Sequence, residues 1–244
     1  MTLTATLATT MRVLTQLRRD HRTLAMVFFV APALLTLFKY IFDNDPLVFA
    51  RVGAPMIGLF PLIMMFLITS IAMLRERTSG TLERLMSLPI AKLDLLIGYA
   101  LAFTVLAAIQ GGITGTVGFA LLDVHTAGPS WGVVLLAIGN ALLGMSLGLF
   151  LSAFARTEFQ AVQFMPTLLF PQILLGGLFV PRGRMPHVLR IVSDVLPVSY
   201  AYDALARVTA NDTGRWLWLD IVILGGSIAA ALILGATTLR RRTA

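Results

Sequence analysis

The residues in this chain that come closest to a chemical signature are Gly144-Met145-Ser146-Leu147-Gly148. Gly-x-Ser-x-Gly is the turn on which many hydrolases mount a nucleophilic serine. Such a serine needs a base beside it, usually histidine. The three histidines, His21, His125 and His187, all lie outside the apolar runs. The motif also needs a strand–turn–helix, whereas this stretch reads as the middle of a helix. Gly144 and Gly148 then suit close helix packing, as do Gly111 and Gly115. An intramembrane serine hydrolase is kept as the rival from another functional class. The chain has no cysteine, which excludes disulfides, thiol catalysis and cysteine-ligated metals. Three scattered histidines make no metal site. A phosphate-cradling loop needs Gly-x-x-x-x-Gly-Lys-Ser/Thr. The two lysines are Lys39 after Phe38 and Lys92 after Ala91, so the chain does not bind ATP that way. Neither a catalytic residue nor a bound cofactor is expected.

What stands out instead is a charged block, Arg75–Lys92, set between two long apolar runs. It reads as a short helix between turns. Thr78 or Ser79 can cap it, Gly80 permits the bend, and Leu82, Leu85 and Met86 share one face. Pro89 ends it, because the residue before proline avoids helical angles. Glu76, Arg77, Glu83 and Arg84 are left for water or a partner.

The elements around this block must be membrane helices. Hydrophobic residues make up 57% of the chain and charged residues 13%, against about 25% charged in an ordinary globular domain. A span needs about 20 apolar residues. Six stretches qualify, at 24–42, 53–74, 95–122, 131–154, 159–180 and 217–239. They are continuously apolar, which excludes the alternating strands of a β-barrel. The first lacks a small-residue cleavage site, so it reads as a span and not as a removable signal peptide. The expectation is an all-α polytopic membrane protein forming one domain over residues 1–244. The net charge of +7 reads as orientation and lipid contact, with no nucleic-acid partner.

Counting Lys and Arg gives twelve on the side of the N-terminus, the 75–92 block, Arg156 and the C-terminal arginines. The other side has six: Arg51, Arg182, Arg184, Arg190, Arg207 and Arg215. The positive-inside rule therefore puts both termini and the charged block in the cytoplasm. Residues 1–23 read as an amphipathic elbow helix lying in the interface, with Leu3, Leu7, Met11, Leu14 and Leu17 near helical spacing. Residues 181–215 hold Pro181, Pro186 and Pro197. Between them fit two short amphipathic helices, about 185–195 and 198–208, too short to span. They read as a re-entrant or surface-lying outer hairpin, with Tyr200, Tyr202, Trp216 and Trp218 at headgroup depth.

Two runs carry a resemblance. Glu76-Arg77 … Gly80-Thr81-Leu82-Glu83 … Leu85 … Pro89 … Leu95 … Gly98 resembles the cytoplasmic signature of type-2 ATP-binding-cassette transporter permeases, of the kind found in daunorubicin-resistance and multidrug exporters. Gly176-Gly177-Leu178-Phe179-Val180-Pro181 … Met185-Pro186 … Leu196-Pro197 … Tyr200 … Asp203-Ala204-Leu205 is similar to that family's end of span five and outer hairpin. The resemblance implies a six-span permease in a bacterial plasma membrane. It implies a second permease copy, most simply a homodimer, and two separate ATPase subunits that carry the ATP and magnesium. The coupling helix would comprise Arg75, Glu76, Arg77, Gly80, Thr81, Leu82, Glu83, Arg84, Leu85 and Pro89, with Pro181, Pro186, Pro197, Tyr200 and Asp203 in the outer hairpin. The implied cargo is an amphipathic drug, antibiotic or lipid, with polysaccharide or lipid-linked glycan as the alternative.

Polar groups inside a membrane face the bundle interior or a wet cavity. Gln110, Asn140, Gln163, Thr167 and Gln172 are therefore the pathway candidates, with Phe164, Phe170 and Phe179 as apolar contacts. Asp94, at the start of span three, is expected to pair with Arg84 or Lys92.

Overall fold

The computed structural model describes residues 3–81 and 92–238, and among these every regular element is a helix. The chain opens with α1 (Leu3–Arg19), breaks at Asp20, and continues as α2 (His21–Ile41). The break is a helix cap. The Asp20 carboxylate accepts from the Thr23 amide at 3.1 Å and the Thr23 hydroxyl at 2.6 Å, satisfying amides that the first turn leaves bare. These bonds hold the Asp20 carboxyl below its ordinary range.

Next comes α3 (Pro46–Thr78), started by Asp45 as cap and Pro46 in the first turn. It ends at Ser79, and Gly80 turns the chain at φ 71°. That angle suits glycine and few other residues. Then follow α4 (Lys92–Thr116), α5 (Ser130–Leu151), α6 (Glu158–Phe164), α7 (Phe170–Leu175), α8 (His187–Val195), α9 (Pro197–Thr209) and α10 (Arg215–Thr238).

Five helical segments are long and apolar enough to cross a membrane: His21–Ile41, Val52–Thr78, Asp94–Leu121, Ser130–Leu151 and Arg215–Thr238. They agree closely with five of the six expected runs. The remaining one, expected at 159–180, is divided. It is helical from Glu158 to Leu175, but α6 and α7 are joined by a π-helical turn, Met165–Leu169. Pro166 and Pro171 lack amide donors, so the regular ladder cannot pass through them, and a widened turn is the usual accommodation.

The interior is organised around α5, which touches α3, α4, α9 and α10. Its contact with α3 is the most extensive in the molecule. A Cβ on Gly144 would sit 2.0 Å from the Leu62 carbonyl oxygen, and one on Gly148 would sit 2.5 Å from that of Phe66. Only glycine permits this approach. Ser146 lies between them, buried, its hydroxyl donating to the Leu143 carbonyl at 2.9 Å. The Gly-x-Ser-x-Gly run is thus a packing seam inside a helix. Gly111 and Gly115 do the same for α4, against Ile138 and Val134 of α5. One hydrophobic cluster fills the α3–α5–α9 side and another the α4–α5–α1 side.

The packing makes a sharp contrast available. Gly144→Val should destabilise the purified protein by about 2 kcal/mol or more through overpacking, whereas Gly112→Ala, with nothing within 4 Å of its new Cβ, should not. Thermal unfolding in detergent checks both, and equal melting points would contradict the seam.

Candidate functional site

The end of α3 is where the charges of the bundle gather. Glu76, expected to face outward, is instead buried beneath α1. Its Oε1 accepts from Arg12 Nη1 at 3.3 Å and from Gln16 Nε2 at 3.2 Å. Arg12 also donates to the Tyr99 hydroxyl on α4 and lies over that ring, 5.6 Å from its centroid. Arg12 and Gln16 are four apart, hence on one face of α1. Glu76 is covered because α1 lies against α4. Gly98 admits it, since a Cβ there would meet Thr9 at 2.6 Å, and the Thr10 hydroxyl donates to the Gly98 carbonyl at 3.2 Å. The apolar stripe of α1 is divided: Leu3, Leu7 and Met11 are exposed, whereas Leu14 and Leu17 pack on the core beside buried Val13.

Arg75 reaches in another direction. Its Nε and Nη2 donate to both carboxylate oxygens of Glu158, at 2.7 and 3.3 Å, tying α3 to the start of α6. Arg77 is half-buried, its Nε without a hydrogen-bond partner. The Ser79 and Thr81 hydroxyls are 2.9 Å apart around Gly80. Leu82, Glu83, Arg84, Leu85 and Pro89 lie outside the described residues. So do Arg84 and the Lys92 side chain, the partners expected for Asp94, which is buried near the start of α4.

The pathway candidates do not converge. Gln110 is fully buried and donates to the Val27 carbonyl of α2 at 3.1 Å, an interhelical tie. Asn140 is buried against Gly58 of α3. Gln163 and Thr167 are exposed together on the face of α6 and its π turn, and the Thr167 hydroxyl donates to the Gln163 carbonyl at 2.8 Å. Gln172 is half-buried and donates to the Leu168 carbonyl at 3.1 Å. Of the aromatics, Phe170 and Phe179 are exposed, and Phe164 packs on the core.

The residues expected in an outer hairpin do come together. Pro186 and Pro197 start α8 and α9, and Pro181 precedes a short 3₁₀ turn, Arg182–Arg184. From that turn Arg182 donates to both Asp194 of α8 and Asp203 of α9, and lies 5.1 Å from the Tyr200 ring centroid. The Tyr200 hydroxyl donates to the Asp194 carbonyl at 2.6 Å. Burial pushes the Asp203 carboxyl up, against the pull of Arg182. Arg207 then ties α9 to buried Asp220 of α10 at 2.8 Å. Arg12, Gln16, Tyr99, Glu158 and Arg182 also belong to these clusters, although their sequence context does not single them out. The i, i+4 pair of Arg12 and Gln16 was the available signal.

A family model described as ABC-2 type transporter matches residues 4–209, from α1 through α9. The chain belongs to this family. Among similar proteins, the probable multidrug ABC transporter permease YbhR of Escherichia coli is 28% identical over 186 residues, 75% of this chain and 48% of YbhR. The linearmycin resistance permease protein LnrN of Bacillus subtilis is 27% identical over 143 residues, 57% of this chain and 36% of LnrN. ABC transporter G family member 20 of Dictyostelium discoideum is 25% identical over 160 residues, 64% of this chain and 22% of its own length. The chain therefore spans about half, or less, of the relatives it matches. The matched region of this ABC-2 protein holds both charge clusters except for Asp220.

The Arg75–Glu158 pair is open to solvent, with side chains 58% and 52% exposed. The pair holds the Glu158 carboxyl below its ordinary range, through the hydrogen bonds from Arg75. A depressed carboxyl contributes stability above its unfolded-state range and loses it as pH falls. Glu158→Gln should thus cost less than about 1 kcal/mol at neutral pH, and the difference should disappear in acid. Melting curves of both proteins from neutral pH to pH about 3 check this; a gap that widens in acid would contradict it.

Proposed function

We propose that the chain is the membrane permease subunit of an ATP-driven exporter, worked from the cytoplasm by a separate ATP-binding-cassette ATPase. The family match over residues 4–209 carries the reading, and the absence of a phosphate-cradling loop from the sequence agrees with it. The α6–π turn–α7 stretch is span five, which brings the number of spans to six. The exposed apolar residues of the first half of α1, Leu3, Leu7 and Met11, suit an elbow helix in the membrane interface. The α8–α9 pair is the outer hairpin, and both termini face the cytoplasm of a bacterium. A second permease copy completes the pathway, in the simplest case an identical one, with two ATPase subunits.

The docking surface is Arg77, Gly80, Thr81 and the segment that follows. Buried Glu76 plays a different part, passing the displacement to α1 through Arg12 and Gln16. The exposed Gln163–Thr167 face is the pathway side of span five. An amphipathic drug, antibiotic or lipid is the cargo, since relatives are named for multidrug transport and linearmycin resistance.

The test uses vesicles holding the permease with its ATPase. Export of an amphipathic dye should require both proteins and ATP, and transport by the permease alone would overturn the proposal. Replacing Arg12 and Glu76 together by leucine leaves no unpaired buried charge. It should keep membrane insertion and lower ATP-driven export about fivefold or more. Unchanged export and unchanged ATPase stimulation would remove Glu76 from the coupling route. The chain has no cysteine, so Thr81→Cys gives a single labelling site. It should react with an impermeant maleimide from the cytoplasmic face alone.

A further inference from the structure

Between the end of α1, the start of α2, the end of α3 and the start of α4 lies a groove of about 630 Å³, within the size range of small-molecule sites. One wall is apolar, formed by Leu17, Met26, Ile68, Ile71, Ala72 and Phe103. The other carries two carboxylates, Asp20 and Glu76, and two guanidiniums, Arg22 and Arg75. The groove is thus amphipathic and its lining charges balance.

Two of these groups are positioned to receive a ligand. Glu76 is 8% exposed: Oε1 takes Arg12 and Gln16, the Tyr99 hydroxyl also lies against the carboxylate, and Oε2 itself is buried without a hydrogen-bond partner of ordinary geometry. A buried carboxylate oxygen left unpaired is costly, and what it lacks is an N–H or O–H donor. Arg22 stands exposed beside the Asp20 cap, and its guanidinium makes no ion pair or hydrogen bond among the described residues. It offers a donor fork suited to phosphate. By contrast, Arg75 is occupied by Glu158 and the Asp20 carboxylate by Thr23.

We propose that this groove binds one zwitterionic aminophospholipid, with its ammonium on Glu76 Oε2, its phosphate at Arg22 and an acyl chain along Ile68, Ile71 and Phe103. The balanced lining disfavours a net charge on the headgroup. A donor-hungry carboxylate oxygen selects a primary ammonium over a quaternary one, which has no N–H. The site rests on the chemistry of the groove itself and holds whether or not the bound lipid is the cargo.

The decisive comparison uses the full chain in neutral detergent, titrated with phosphatidylethanolamine, phosphatidylcholine and phosphatidylglycerol of matched acyl chains. Thermal stabilisation and retained lipid in native mass spectra are the readouts. Phosphatidylethanolamine should bind saturably and about tenfold tighter than the other two, the worth of one charge-assisted hydrogen bond. Glu76→Gln should bring it to the level of phosphatidylcholine. Ile71→Trp fills the groove without touching the Arg12–Glu76 bond, and should remove saturable binding. Equal stabilisation by all three lipids would overturn the proposal. So would preference for phosphatidylglycerol, or an unchanged phosphatidylethanolamine effect in Ile71→Trp. If Glu76→Gln does not fold, the lipid series and Ile71→Trp decide.

Discussion

Everything in this bundle is hung on the near-contact of two backbones, α3 and α5, at Gly144 and Gly148. In lipid, apolar side chains gain little by leaving one apolar surroundings for another. Helices therefore associate through close packing and interhelical hydrogen bonds. Two glycines four apart remove the side chains that would hold the helices apart. The Thr69 hydroxyl of α3 then reaches the Met145 carbonyl of α5 at 3.2 Å. With that seam closed, α5 has its remaining faces free for α4, α9 and α10, and the outer surfaces are left to apolar side chains such as Phe29, Leu135 and Val222.

The same physics decides what the polar residues do. A hydroxyl or amide in hydrocarbon must find a partner inside the protein. Gln110 finds the α2 backbone, Thr10 the α4 backbone and Thr69 the α5 backbone. Each is consumed in holding two helices together and offers little to a cargo. Gln163 and Thr167 differ because they are exposed on a helix whose ladder two prolines already weaken.

Helix identity and extent were legible because they depend on short-range patterns. Continuous apolar runs located five spans to within a few residues at most ends, and Gly80 announced the turn that ends α3. The proline-bounded pieces at 181–215 became α8 and α9 almost as read. What stayed hidden depends on which helix lies against which. Glu76 read as a solvated charge because nothing local says that α1 folds back over it. Arg12 read as an orientation charge for the same reason. The π turn at Met165–Leu169 was masked by an apolar run whose composition is unaffected by two prolines. The pathway residues were legible as polar groups in spans but not as ties or surfaces, since that distinction requires the neighbouring helix.

The tail of α3 holds two elements by charge. Through Glu76 it holds α1, through Arg75 it holds α6, and past Gly80 it enters the charged segment. Further back, Gly58 of the same helix is wedged against Asn140 of α5 and Leu205 of α9, where a Cβ would meet side-chain atoms at 2.7 and 2.4 Å. α9 in turn is bound by Arg182 to α8 and by Arg207 to α10. One helix thus connects the charged end with the hairpin at the other, with Pro55 and Pro61 inside it as the places where a bend costs least. A packed core shifts between discrete arrangements and does not deform smoothly. A displacement of the α3 tail must therefore either tilt α3 as a unit, carrying α1 and α6 with it, or bend it at the prolines and leave the Gly58 contact in place. The glycine seam with α5 lies between the prolines and the tail, at Leu62 and Phe66. Bending at Pro61 would consequently drag α5 as well, so the arrangement couples the charged end to the central helix by either route.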